Sequence, residues 1–127
     1  MKCDLEEKDL QDAVKNKDPK DSKLIRLRAI AVTICNLRVA QTDMIDRNVI
    51  GRGFVLDRIN GAIDDLKRER DVIKTATSPF PMIPKKLLDD LTNAVSGLEL
   101  AVGKSQAAQD FADAAGTLVT AAAKVAK

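Results

Sequence analysis

A chain of 127 residues is long enough to bury one core without metal or disulfide support. With 45% hydrophobic residues but only 2% aromatic ones, that core must be built from Leu, Ile, Val and Ala, a mixture suited to helices. The absence of histidine removes the usual general base, the usual zinc and haem ligand and every Ser-His or Cys-His nucleophile, and a net charge of +2 is far below the basic footprint of a dedicated nucleic-acid binder.

The N-terminal "MKCDLEEKDLQ" is acidic and polar and lacks the apolar run of a secretory signal, so a cytoplasmic location and reduced thiols at Cys3 and Cys35 are expected. Asp4 followed by Glu7 forms a capping pattern, after which Leu5, Leu10, Ala13 and Val14 give a short helix with one weak apolar face. Residues 1–18 are therefore expected as a loosely packed segment on a single domain spanning 1–127. In "NKDPKDS", Asp18 fits an N-cap and Pro19 a first helical residue, starting a helix over 19–47. Its stripe of Leu24, Leu27, Ile30, Ala31, Ile34, Leu37 and Met44 is widened by Ile25, Val32 and Val39 into a face that touches two neighbours, as a central helix does. Cys35 falls on this apolar stretch and reads as a buried, inert thiol. Gln41 and Asn48, in line with Ile34, interrupt the seam with polar groups.

The two glycines of "RNVIGRGF" mark a turn, and Leu56, Ile59, Ala62, Ile63, Leu66 and Ile73 place the next helix at 53–76. Its charged run "DDLKRERD" reads as a solvated face with Asp64–Arg68 and Lys67–Asp71 pairs. "SPFPMIP" stops that helix, and Pro84 can open the following one. From there small residues recur at every seventh position, at Ala94, Ala101, Ala108, Ala115 and Ala122, which implies close helix packing within the chain or along a homodimer face. One helix of about 65 Å or two helices split at Gly103 satisfy the pattern; the split, with Gly103 as C′ residue and Ser105 capping the next helix, gives elements of matched length. The fold class is thus all-α, an antiparallel bundle of about four main helices plus a short N-terminal one.

Chemical motifs fail on inspection. "GLELAVGKS" has one residue too many for a phosphate loop and lies in a helical context, "GRGFVL" lacks the third glycine of a dinucleotide fingerprint, and "DRINGAIDD" lacks the ligands of a calcium loop. Four glutamates without a Glu-x-x-His pair leave no di-iron bundle site. No catalytic residue, cofactor site or metal site is read from the sequence, and the chain is expected to be non-catalytic.

Two sets of residues are candidates for binding. Arg26, Arg28, Arg38, Arg47, Arg52 and Arg58 could line an anion-recognising strip, against the simpler reading of surface charges paired with local aspartates. Phe80, Met82 and Ile83 could anchor a partner from a stiff loop, against the simpler reading of a lid on the bundle core. The function expected is protein–protein interaction, as an adaptor, inhibitor or immunity-type partner, with another protein or a second copy as the occupant. Two alternatives stand beside it. Anion or nucleic-acid contact through the arginines is disfavoured by the scarcity of aromatics. Reversible membrane-surface association through an amphipathic helix lacks Trp and Tyr.

Overall fold

Five α-helices make up the computed structural model, which describes residues 3–16, 21–77 and 79–127. They are α1 (Asp4–Lys15), α2 (Lys23–Asp46), α3 (Arg52–Thr75), α4 (Lys85–Ala101) and α5 (Ala108–Ala126). The expected all-α bundle is present. Among the described residues the only extended pairings are isolated backbone bridges, one of which joins Ile50 to Ala107. No described helix is long and apolar enough to cross a membrane.

α2 is the axis of the fold and packs against all four other helices. Its buried face is wider than one stripe, taking in Ile25, Ala29, Ile30, Val32, Leu37 and Ala40, and leaves only the side of Leu24, Ala31, Arg38 and Ile45 exposed. Thr33 and Asn36 are buried with them without penalty, because the Thr33 hydroxyl donates to the Ala29 carbonyl at 2.8 Å and Asn36 Nδ2 to the Val32 carbonyl at 2.9 Å. Leu24 and Ala31, assigned to the stripe, face outward. α5 lies diagonally opposite and touches α2, α3 and α4, whereas α3 and α4 do not meet among the described residues. The cross-section is therefore a rhombus with α2 and α5 on its short diagonal.

The breaks follow local chemistry. Between α2 and α3 the chain turns through two left-handed residues, Asn48 at φ 55° and Gly51 at φ 81°. The alanine-rich half is two helices: Gly103, at φ 78°, follows the last turn of α4 as a C′ residue, and the amides of Lys104 and Ser105 return to the Ala101 carbonyl at 3.2 and 2.9 Å. Ser105 does not occupy the N-cap. α5 begins at Ala108, and the Ser105 hydroxyl supports the preceding loop by accepting from the Ala107 amide at 3.3 Å and donating to Asp110 at 2.6 Å.

The expected caps at Asp18 and Pro19 lie outside the described residues. α2 starts at Lys23, later than the sequence pattern suggests, with Asp21 Oδ1 accepting from the amides of Lys23 at 2.9 Å and Phe80 at 3.2 Å. On α3 the charged run pairs differently from expectation, through Arg68–Asp65 and Arg70–Asp71.

The thiol expectation is overturned. Cys3 and Cys35 form a disulfide with a Cα–Cα distance of 6.0 Å, stapling the start of α1 to the middle of α2. The sequence separation of 32 hides this pairing, since nothing local to either cysteine signals it. The N-terminal helix, expected to be loosely held, is thus covalently fixed. Reduction is expected to lower unfolding free energy by about 2–3 kcal/mol, the loop-closure contribution reduced by the contacts α1 retains; urea unfolding with and without reductant measures it.

Candidate functional site

The rhombic section leaves two long hollows between α3 and α4, one over each end of the short diagonal. The hollow over α2 is filled by α1. Glu6 of α1 shares a cavity with Ala31 of α2 and Arg70 of α3, Leu10 lies by Val32, Leu91 and Val95, and Asp9 pairs with Arg28 at 3.3 Å. The hollow over α5 has no such cover among the described residues.

Its floor is the ridge Ala112, Gly116 and Thr120, spaced one helical turn apart on α5. On the α4 side the floor borders a cavity of about 800 Å³ reaching Leu87, Asn93 and Gly97. On the α3 side it borders a smaller one of about 230 Å³ beside Val55, Arg58 and Ala62. Arg58 borders both, so the two are sides of one valley. Small side chains keep the floor low: a Cβ added at Gly97 or Gly116 would meet nothing within 4 Å. At the end where α5 begins, Ile50 (88% exposed) and Phe54 (71% exposed) stand on the α3 side and Leu100 on the α4 side. Arg58 lies over the Phe54 ring at 5.7 Å. The charged lining is of both signs, with Arg58 and Lys124 against Asp90 and Asp113.

The six arginines do not assemble into a strip. Arg26 is buried and committed to three hydrogen bonds inside the fold. Arg28 pairs with Asp9, and Arg52 donates to the Val49 carbonyl at 3.1 Å. Arg47 grips Asp43 with bonds of 3.0 and 2.7 Å and lies over the Phe111 ring at 5.9 Å. That grip, with the Gly103 amide donating at 2.8 Å, holds the Asp43 carboxyl below the usual carboxylate range despite its burial. Arg38 is exposed beside the cavity that Cys35 lines, and Arg58 belongs to the valley.

The loop candidates divide. Ile83 is buried in the core and Phe80 is half-buried beneath Arg26, so both close the bundle end, while Met82 is exposed. Ala94, Ala101, Ala115 and Ala122 are buried and Ala108 is half-buried, so the heptad alanines face the chain's own core. The valley residues lie on the neighbouring exposed face of α5. Their signal was small residues four apart at 112, 116 and 120, masked by the stronger seven-residue repeat. Gln41 ties α2 to α3 by donating to Asn60 at 2.7 Å, and Asn48 serves the turn.

Across the cavity between α1 and α4, the Glu7 side chain meets Glu99. Burial, then the carboxyl–carboxyl hydrogen bond and the charges of Glu99 and Asp4, raise the Glu7 pKa from an ordinary 4.5 to about 7, with Asn36 opposing. A folded-state value above the unfolded one means that this contribution is full below about pH 4.5 and lost as pH rises through about 7. The thermal midpoint is expected to fall between about pH 5 and about pH 8, by about 1 kcal/mol of stability after solvent screening, and Glu7→Gln to flatten that slope. A rise over the same interval, absent in Glu7→Gln, would reverse the assignment.

No family model, curated protein or solved structure matches this chain.

Proposed function

We propose that this protein is a non-catalytic interaction module whose α5 valley receives an amphipathic helix of a partner protein. The observation that supports this reading is the contrast between the two hollows: α1 covers α2 between α3 and α4, and the corresponding groove over α5 is open and low-floored, with exposed Ile50, Phe54 and Leu100 at the end where α5 begins. A helix laid there would place large aliphatic side chains over Ala112, Gly116 and Thr120, the helix-in-groove mode of recognition. Adaptor, inhibitor and immunity-type roles all use such a surface. The mixed charge of the lining and the dispersal of the arginines weigh against the anion and nucleic-acid readings, and commitment of the apolar faces to the core weighs against membrane-surface binding. A second copy of the chain is the competing occupant. We also propose a cytoplasmic location, in which the Cys3–Cys35 disulfide opens and re-forms rather than being permanent; acid-trapped alkylation in cells should then find a dithiol population beside the disulfide form.

A photo-crosslinking residue at position 116 tests the docking. It should trap one polypeptide through a single helical segment, and a synthetic peptide of that segment should bind the purified protein and become helical. Gly116→Arg should abolish this binding without loss of stability, because the added side chain meets open space. A crosslink only to a second copy would assign the valley to self-association, and crosslinking no stronger than from exposed Lys85 would reject the proposal.

A further inference from the structure

The α1–α2 junction holds a group of side chains that the docking function does not use. The ligand atoms of Cys3, Glu6 and Cys35 all lie within 4.8 Å of one another. Cys3 immediately precedes α1 and Glu6 lies three residues on, so the two share a face, while Cys35 approaches from α2. We propose that in the dithiol form these three residues bind one zinc-class divalent cation, so that disulfide and metal are alternative states of one site.

Four observations carry this. First, two sulfurs on a tetrahedral zinc stand about 3.8 Å apart, given Zn–S distances of about 2.3 Å. Side-chain rotation alone reaches that separation once the S–S bond is open. Second, Glu6 Oε2 is buried with no hydrogen-bond partner, and a cation beside the sulfurs would satisfy it by coordination. Third, two thiolates, a carboxylate and a dication sum to a single negative charge. Arg38 and Arg70 offset it, since both line the cavity shared by Glu6 and Cys35. Fourth, that cavity, about 460 Å³, gives a path for the ion and room for a water in the fourth coordination position. Thiolate with carboxylate favours zinc or cobalt over magnesium or calcium.

The exchange balances with a dithiol reductant. Two electrons and two protons pass to the Cys3–Cys35 bond, the reductant closes to its own disulfide, and metal binding then releases the two thiol protons to solvent. Two-electron oxidation by a disulfide runs the sequence backwards and expels the ion.

Cobalt(II) is a direct probe. Protein reduced with dithiothreitol and desalted under nitrogen should take up one equivalent, showing sulfur-to-cobalt charge-transfer absorption and the intense visible bands of tetrahedral cobalt, both abolished by added zinc. The oxidised protein should show neither. Cys35→Ser should lose the charge-transfer band, and Glu6→Gln should retain it with affinity weakened at least tenfold, each variant being checked for helicity by circular dichroism. Absence of charge transfer in the reduced parent, an undiminished band in Cys35→Ser, or unchanged affinity in Glu6→Gln would overturn the three-ligand site. These readouts do not involve the α5 valley, so this proposal and the docking function fail or stand separately.

Discussion

Arg26→Leu is expected to lower the unfolding free energy by about 4 kcal/mol. The side chain is 3% exposed, and its guanidinium donates from Nε to Ser22 Oγ at 2.8 Å, from Nη1 to the Val125 carbonyl at 2.8 Å and from Nη2 to the Pro81 carbonyl at 2.9 Å. It also lies over the Phe80 ring at 5.2 Å. One side chain thus ties the start of α2, the proline loop and the last turn of α5. Burial pushes its pKa down, with Asp21 opposing, and the charge is tolerated because its donors are matched. Leucine would leave the Val125 carbonyl without its donor and the Ser22 hydroxyl without the one it accepts from, while the Pro81 carbonyl would keep only the Ser22 hydroxyl at 2.6 Å. Lysine should rescue little, since a point charge cannot reproduce the three-way fork. Urea unfolding followed by circular dichroism measures both variants; a cost below about 1 kcal/mol for Arg26→Leu would mean that water replaces the network.

The second large effect separates adjacent positions on α5. Ala115→Arg should destabilise by about 5 kcal/mol, combining overpacking with an unpaired buried charge, because Ala115 is only 4% exposed in the chain's own core. Ala108→Arg should cost less, about 1–2 kcal/mol, since that alanine is half-buried near Gly51 at the helix start. Gly116→Arg, one residue beyond Ala115 and rotated about 100° round the helix, should leave the fold intact. A folded Ala115→Arg monomer of unchanged stability, from a parent that is a dimer, would mean that the alanine face packs between chains rather than within one.

These contrasts mark the division between local and tertiary information. The sequence by itself placed most helix breaks: Pro79, Pro81 and Pro84 deny donors and fix φ, and the glycines of "RNVIGRGF" mark the turn between α2 and α3; that the alanine-rich half stops at Gly103, and that Asn48 shares the turn with Gly51, the structure decided. It also determined that α2 is central, because a stripe widened by Ile25, Val32 and Val39 is a face broad enough to meet more than one neighbour. Those signals act within a few residues of one another. Arg26 read as surface charge because its partners at Pro81 and Val125 lie 55 and 99 residues away. The Cys3–Cys35 bond and the Glu7–Glu99 pair were hidden for the same reason. The α5 valley existed in no window of sequence, being the space left because α3 and α4 both lean on α5 without meeting. Helical periodicity says which side of each helix seeks cover; only the packing of all five decides which neighbour covers it and which groove stays open.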